Sequence, residues 1–319
     1  MELGARAAQP HGAVLKRTAN STRRYPLDGR AVGLVLGLCV IWGFQQVAMK
    51  AIVTDVAPVM QLAIRFAIAA VFYGAWVLWR EGPTTFADGT LRSGLLIGAL
   101  FSLEFLLVGE ALAHTTAAHT VVFLYTSPIF TALGVQFLPD ERLHRAQWIG
   151  IATAFVGIVI AFVGPGDRPV LEWVVGDGLA LLAGATWGLT NVVLRRGRIG
   201  GASTAKTVFY QVALAAPLIY AYAAATGQTA IVWTLPALES LVFQTFVIAI
   251  ASYLVWFWLL RHYLTSRLML MTLLTPLFGV LFGALILHDP INPPFAIGAL
   301  LVLLGILVVN GQLFRQRAD

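Results

Sequence analysis

Three ionisable side chains interrupt long apolar stretches of the sequence, namely Arg65, Glu104 and Glu110. A charged side chain at the centre of a bilayer costs about 2.5–3.5 kcal/mol on insertion scales, so such residues usually face a cavity or an opposite charge. Each of the three is therefore expected either to contact a charged solute or to make a structural interaction between helices.

Each of these residues has a functional and a structural alternative. Glu104 is expected to face a cavity, where it contacts an ammonium group or carries a proton; the alternative is a hydrogen-bonded carboxylate between packed helices. For Arg65 and Glu110 two alternatives stay open, a clamp for a substrate carboxylate and a mutual ion pair that joins two helices. His114 follows Glu110 by four residues on the same helix face. We expect it at a wetted helix end rather than in a proton relay.

Aromatic and amide side chains recur inside the apolar stretches. Aromatic residues near helix ends fit an interfacial belt, whereas the deeper ones are expected to line a pocket for an amphipathic organic molecule. Gln45 and Asn191 follow Trp-Gly pairs and are expected to line the same pocket, with a bridge between helices as the alternative. The predicted substrate-binding residues are Trp42, Gln45, Arg65, Phe101, Glu104, Glu110, Tyr125, Trp187, Asn191, Tyr210, Tyr253 and Trp258.

The sequence lacks the signals of an enzyme. It has no HExxH, GxSxG or P-loop motif, and its single cysteine, Cys39, has no partner for an intrachain disulfide. His114 and His119 have no third ligand at a suitable spacing, so neither a metal site nor a cofactor is expected. The protein is therefore predicted not to be an enzyme.

The composition is that of a membrane protein. Hydrophobic residues make up 59% and charged residues 11% of the 319 residues, whereas a soluble domain carries about 25% charged residues. No stretch alternates as a barrel strand would, so the spans are expected to be helices of about 20 residues. Ten segments qualify: residues 31–51, 58–79, 93–114, 117–138, 146–163, 175–194, 207–225, 237–260, 268–287 and 294–314.

The basic residues predict the orientation of these helices. With the N-terminus inside, nearly all of the 21 Lys and Arg residues fall on the inner side. The positive-inside rule then places both termini in the cytoplasm and the protein in the inner (plasma) membrane. Residues 1–30 and 315–319 are expected to be cytoplasmic tails. The basic residues are not grouped with aromatics, so no nucleic-acid partner is expected.

One stretch of the chain occurs twice, because residues 126–157 match residues 274–305 without a gap at an offset of 148. The Trp-Gly pair that begins at Trp42 matches the pair that begins at Trp187 at an offset of 145. A period of this length is too large for a solenoid repeat. The match therefore indicates two homologous halves of the chain.

Each half is predicted to hold five helices, an odd number, so the second half enters the membrane from the opposite side. The sequence thus predicts an all-α integral membrane protein with ten transmembrane helices. These form two inverted five-helix repeats, residues 31–163 and 175–314, around a central cavity. Inverted repeats are typical of transporters. A duplication retained only for stability is the alternative.

Pro128 and Pro276 occupy matching positions in the two halves and are predicted to kink the fourth and ninth helices in mid-membrane. We expect them to be gating hinges, with a static kink that shapes the cavity as the alternative. Glycine spacings leave a monomer and a weak homodimer open. Close helix approach is expected at four Gly-x3-Gly spacings, which begin at Gly33, Gly94, Gly184 and Gly279.

Together these features resemble the drug/metabolite transporter superfamily, in its ten-helix branch with two EamA domains. The resemblance covers about residues 31–314. It rests on the Trp-Gly pairs, the two prolines, the acidic residues after them (Glu141 and Asp289) and the glycines of the fifth and tenth helices. Glu104 and Tyr125 are in addition similar to residues of YddG-type exporters of amino acids. The resemblance implies a basket of helices 1–4 and 6–9 around the cavity, with helices 5 and 10 peripheral.

The resulting hypothesis is a secondary transporter for small organic metabolites in the lipid bilayer. Export of aromatic or amphipathic amino acids is the leading interpretation, and proton-coupled efflux of cationic drugs or metabolites is the alternative. A non-transporting membrane receptor or scaffold is the weaker third. A sugar-nucleotide carrier is disfavoured, since phosphates need several buried cations and only Arg65 is deep.

Overall fold

The computed structural model describes residues 28–137, 143–162, 171–196, 202–263, 268 and 271–315. Within these ranges the chain is mainly helical and contains no strand, and an antiparallel bridge pairs Val56 with Ile231. Most of the predicted N-terminal tail (residues 1–27), Glu141 and residues 316–319 lie outside the described ranges.

The first half of the described chain contains six helices. They are α1 (Gly29–Ala51), α2 (Pro58–Glu81), α3 (Leu91–His114), α4 (Ala117–Leu124), α5 (Ser127–Val135) and α6 (Arg145–Phe162). Local sequence explains several of the starts, because a side-chain oxygen there accepts a hydrogen bond from a free backbone N–H. Asp28 does so for α1 and Thr116 for α4.

The second half contains six further helices and two irregular segments. The helices are α7 (Leu171–Arg196), α8 (Thr204–Ala225), α9 (Leu235–Val242), α10 (Tyr253–His262), α11 (Thr275–Ile286) and α12 (Pro293–Arg315). A ten-residue π-helical segment, Phe243–Ser252, joins α9 to α10, and a 3₁₀ turn, Thr272–Leu274, precedes α11. Side chains of Ser203 and Thr234 cap α8 and α9.

Seven helical runs are long and apolar enough to cross a membrane, so the prediction of a multi-span helical protein is confirmed. These runs are residues 29–51, 58–81, 91–114, 117–134, 173–194, 204–225 and 235–256. The predicted fifth, ninth and tenth spans correspond to shorter apolar helices at residues 145–161, 272–286 and 293–309. The total of ten spans stays a prediction.

The structure corrects the prediction that the two prolines kink continuous helices. Pro128 lies in the first turn of α5, after α4 has ended and the chain has turned. Pro276 lies in the first turn of α11, directly after the 3₁₀ turn. Proline lacks an N–H and has a fixed φ, so it starts a new helical segment without losing a hydrogen bond. The fourth and ninth predicted spans are therefore each made of two segments.

We name the two ends of the bundle by their loops. The distal end holds residues 52–57 and 226–234, and the proximal end holds Asp28 and residues 82–90. At the distal end the backbone N–H of Val232 donates to the carbonyl of Asp55. At the proximal end the phenol of Tyr263 donates to Asp28. This bond and the Ala31 N–H lower the pKa of the Asp28 carboxyl, the backbone bond being the stronger cause.

Two helix crossings far apart in the sequence have the same atomic contacts. A Cβ on Gly43 of α1 would lie 2.8 Å from both the N of Gly279 and the Cβ of Phe278, in α11. A Cβ on Gly188 of α7 would lie 2.9 Å from the N of Thr131 and 2.7 Å from the Cβ of Phe130, in α5. Only glycine fits at either crossing, because the backbone of the facing helix is already at contact distance.

Helices α6 and α12 pack along each other in antiparallel fashion. A Cβ on Gly150 would lie 2.8 Å from the carbonyl oxygen of Gly305, and one on Gly157 would lie 2.6 Å from that of Gly298. The predicted close approach at Gly33 does not occur, since no described atom lies within 4 Å of a Cβ built there.

Candidate functional site

Arg65 of α2 and Glu104 of α3 lie in the interior of the bundle, where they are 1% and 5% exposed. The Arg65 guanidinium lies over the rings of Phe66 and Phe105, with its carbon 4.7 Å and 5.3 Å from their centroids. An aromatic face attracts a cation, but it is a poor substitute for the oxygen acceptors that guanidinium N–H groups require.

Neither of these charges has an ionic partner among the described residues. The Nε and Nη1 atoms of Arg65 are buried without a hydrogen-bond acceptor. No described hydrogen bond or opposite charge acts on the buried Glu104 carboxylate. The two side chains have opposite charges, yet they do not pair with each other.

Two tyrosines connect the charges to the second half of the chain. Tyr253, the first residue of α10, lies within electrostatic range of both Arg65 and Glu104. Tyr125, at the break between α4 and α5, lies within range of Glu104 and Tyr253. Its ring packs edge to face against Trp187 of α7, with centroids 5.4 Å apart. We call Arg65, Glu104, Tyr125, Trp187 and Tyr253 the central group.

An aromatic cluster lies next to Arg65. The ring of Phe101, a predicted site residue, is 5.2 Å from that of Phe66 and 4.6 Å from that of Phe105. Sequence reasoning missed Phe66 and Phe105. The signal was present, because each directly follows an intramembrane charge and Phe105 lies four residues after Phe101, on the same helix face.

Glu110 does not pair with Arg65, so the mutual ion pair is wrong. One oxygen of Glu110 accepts a hydrogen bond from the Gln228 amide at 2.8 Å, and the other lies 3.9 Å from His114 Nε2. The Glu110 side chain is 19% exposed. It turns towards the polar loop at the distal end, where its charge keeps some hydration, and lies apart from the central group.

Two other predicted site residues join helices. The Asn191 amide donates to Thr131 Oγ1 at 3.2 Å and so ties α7 to α5, which is the bridging alternative. The Trp42 indole donates to Ser252 Oγ at 2.9 Å and so ties α1 to the π-helical segment. Gln45 of α1 is 9% exposed, consistent with an interior position.

Tyr210 and Trp258 lie at the proximal end, which corrects their assignment to the same pocket as Arg65. The Tyr210 hydroxyl is 3.3 Å from Thr90 Oγ1, in the connection before α3. The Trp258 ring stacks on His262 and lies under the Arg30 guanidinium, 5.1 Å from its carbon. Both positions are those of helix-end aromatics, which anchor a bundle rather than bind at its centre.

A second buried polar cluster lies at the distal end, and both carboxylate oxygens of its acid, Asp177, have a hydrogen-bond partner. Asp177 Oδ2 is 2.7 Å from His119 Nδ1, and Thr115 Oγ1 donates to Oδ1 at 2.6 Å. The His119 ring stacks on Phe295 at 3.8 Å. These contacts join α4, α7 and α12. In the described part of the chain no three His, Cys, Asp or Glu residues are grouped to hold a metal.

A buried amide pair also escaped sequence reasoning. The Gln244 amide donates to Gln61 Oε1 at 2.8 Å and to Ser240 Oγ at 3.0 Å. Gln61 in turn donates to the carbonyls of Met49 and Val56. This network ties α1, α2 and the start of the π-helical segment together one turn away from Arg65.

The chain is similar in sequence to known transporters. The EamA-like transporter family model matches residues 29–163 and 174–311. An uncharacterized transporter of Bacillus subtilis, YoaV, is 23% identical over 89% of this chain and 97% of its own length. A protein of Escherichia coli named "Probable amino-acid metabolite efflux pump" is 27% identical over 86% of this chain and 93% of its own.

A solved crystal structure shows the same fold, with a TM-score of 0.60 at 20% identity, covering 91% of this chain and 98% of that chain. The family match covers far more than half of the sequence, and the family and these relatives are transporters rather than enzymes. Together with the membrane-spanning helices, this makes the protein a multi-pass membrane transporter. The chain belongs to the EamA-like transporter family.

Proposed function

We propose that the protein moves small organic metabolites, with aromatic or amphipathic amino acids as its substrates, by alternating access of two inverted repeats. The observation that carries this proposal is the pair of equivalent crossings. A Cβ on Gly43 would contact the N of Gly279 and the Cβ of Phe278. A Cβ on Gly188 would contact the N of Thr131 and the Cβ of Phe130. The repeat aligns the two glycines at an offset of 145 and the residues that they contact at an offset of 148.

The peripheral helices support the same two-fold relation. The repeat matches Gly150 to Gly298 and Gly157 to Gly305. When each glycine is replaced by its match, the contact between Gly150 and Gly305 becomes the contact between Gly298 and Gly157, and the reverse also holds. The family model also matches two separate ranges, one in each half of the chain. An inverted repeat of this kind lets one half rock against the other around a site near the midplane.

Access is proposed to change where the two discontinuous spans meet. In their distal segments, a Cβ on Gly279 of α11 would lie 2.6 Å from Val121 of α4, and one on Gly283 would lie 3.3 Å from Ala118. The breaks at Pro128 and Pro276 then act as the hinges. The proposal places the distal end outside and both termini in the cytoplasm of a cell whose inner membrane holds the protein.

Amino acids are the proposed substrates because the central group offers charges of both signs beside aromatic rings, and because two relatives are named amino-acid metabolite efflux pumps. Solute counterflow into proteoliposomes, with a panel of amino acids, nucleosides and organic cations, tests this. We expect labelled amino acids to exchange. If no member of the panel exchanges, the transport proposal is wrong.

Proton-coupled efflux of cationic metabolites is the second candidate, and the unpaired Glu104 carboxylate favours it. An isolated buried carboxylate binds either a proton or an organic cation, and the two compete. Glu104→Gln removes the charge at nearly constant shape. Loss of proton-driven uptake of an organic cation, with the cation taken up well by the wild type, supports this candidate; unchanged uptake by the variant excludes it.

A further inference from the structure

We infer that Arg65 and Glu104 form one recognition site for a zwitterion, in which Arg65 binds the carboxylate and Glu104 the ammonium group of an α-amino acid. This inference rests on the proposed function and assigns the recognition atoms within it. It predicts that a solute with only one of the two charges binds weakly.

Arg65 carries a buried charge that lacks acceptors. Its guanidinium is 1% exposed, and two of its three nitrogens have no acceptor. A buried unpaired charge is strongly unfavourable, and a carboxylate that accepts two parallel N–H bonds is the best-matched partner for a guanidinium. A small anion is therefore the ligand that this side chain lacks.

The charges of Arg65 and Glu104 are separate from each other. Glu104 is buried and has no described ionic partner, and Tyr253 lies within electrostatic range of both Glu104 and Arg65. If the pair had a purely structural role, the two side chains would form a salt bridge, but they do not. A ligand that carries both charges satisfies both residues at once. The rings of Phe66, Phe101 and Phe105 supply the apolar surface for its side chain.

Two other buried charges of this chain, Lys206 and Asp177, differ from Arg65 and Glu104. Lys206 is 1% exposed and donates to Asp88 at 2.6 Å and to the carbonyl of Thr85. Asp177 is 3% exposed and accepts from Thr115 and His119. Where this fold keeps a charge for structure, it surrounds the charge with partners. Arg65 and Glu104 lack such partners.

Thermal unfolding of the purified full-length protein in detergent tests the ligand. The probes are phenylalanine and leucine, their decarboxylated amines phenethylamine and isopentylamine, and their deaminated acids 3-phenylpropionate and 4-methylpentanoate. We expect at least one amino acid to raise the unfolding temperature at a concentration at least tenfold below that needed for its amine or acid. Equal effects of an amino acid and its amine exclude the role of Arg65, and equal effects of an amino acid and its acid exclude that of Glu104. No effect of either amino acid also overturns the inference.

Variants of the ligand-free protein give a second, independent readout. Arg65→Met and Glu104→Gln should raise the unfolding temperature without ligand, because each removes an uncompensated charge, and should abolish the shift caused by the amino acid. Lys206→Met and Asp177→Asn are the matched controls and should lower the unfolding temperature, because each breaks a satisfied pair. If Arg65→Met lowers stability as much as Lys206→Met does, the inference is wrong.

The two proposals fail separately. Selective binding of zwitterions without counterflow leaves the recognition site in place and removes the transport function. Counterflow of amino acids with equal inhibition by amines and acids keeps the transport function and overturns the zwitterion site.

Discussion

The two halves of the molecule share their helix crossings and differ in their charges. Gly43 and Gly188 make the same contacts in their respective halves. By the offsets of the repeat, however, Arg65 matches Gln211, and Glu104 matches Ser252, which accepts a hydrogen bond from Trp42. The comparison indicates that the two halves share packing contacts, while the charged residues of the proposed site lie in the first half.

The largest effect is expected where the scaffold is duplicated. Gly43→Val and Gly188→Val should both abolish folded protein, because a Cβ at either position already lies within 2.9 Å of backbone atoms of the facing helix. Size-exclusion chromatography of the solubilised membranes measures the amount of folded protein. Gly37→Ala is the control, since nothing lies within 4 Å of a Cβ there, and alanine should add up to about 1 kcal/mol of helix stability.

A different outcome for the two glycines would break the comparison. If Gly43→Val folds normally and Gly188→Val does not, the crossings are alike in geometry only, and the two-fold relation does not describe the energetics of the scaffold.

A cross-link between the two discontinuous spans should nearly abolish transport and do so reversibly. With Cys39 replaced by Ala, cysteines at Val121 and Gly279 place their Cβ atoms about as close as a disulfide requires, since the Cβ position of Gly279 lies 3.1 Å from that of Val121. Oxidation should stop counterflow and reduction should restore it. The single-cysteine variants are the controls. Full counterflow in the oxidised double variant would show that these segments do not separate during transport.

Exchange of the charges between the halves should have an intermediate effect. Arg65→Gln should weaken substrate affinity about ten- to hundredfold, because a charged hydrogen bond contributes about 1.5–3 kcal/mol. Gln211→Arg should not rescue it, since the Phe66 and Phe105 rings lie beside Arg65. Gln211→Ala is the control and should stay near wild-type affinity. Inhibition of counterflow by unlabelled substrate gives the affinities, and rescue by the second substitution would mean that both halves supply the site equally.

The smallest effect is expected at a proximal contact between the halves. Lys206, chiefly, and then Thr90 lower the pKa of the Asp88 carboxyl to about 2. Because the folded-state pKa is below the ordinary value of about 3.9, the stabilisation is complete above that value and is lost as the pH falls towards 2. The wild type should therefore lose a few degrees more than Asp88→Asn between about pH 5 and pH 3. Parallel curves would show that this pair does not contribute to stability.

Sequence reasoning succeeded where a single physical term dominates. The cost of burying a charge in lipid identified Arg65 and Glu104, and the hydropathy of long runs identified seven spans at nearly their observed bounds. It failed where several arrangements have similar energies. Pro128 fits a kink as well as a first turn. Only the structure shows that α4 ends at Leu124, where Gly184 packs against the carbonyls of Phe123 and Leu124.

The rotation of helices about their axes was equally inaccessible from sequence. Glu110 and Arg65 have similar depths in their spans, and depth alone left a mutual ion pair open as one of two alternatives. Which way Glu110 faces depends on the loop that carries Gln228, and that loop is placed by the packing of α8. The assignment of Tyr210 and Trp258 to the central pocket was wrong for the same reason, since an aromatic residue in an apolar run fits the centre and the end of a helix alike.

The π-helical segment Phe243–Ser252 determines the direction in which the Tyr253 side chain points. Each π turn closes its hydrogen bond five residues on rather than four, so a wide turn takes up about one residue more than an α turn. The Tyr73 hydroxyl holds the wide turns in place by donating to the carbonyls of Ala249 and, more weakly, Ile250. The rotation of α10 about the helix axis relative to α9 therefore depends on the backbone hydrogen bonds of these ten residues. Tightening a single turn would swing the phenol of Tyr253 around the helix axis while α9 stays in place.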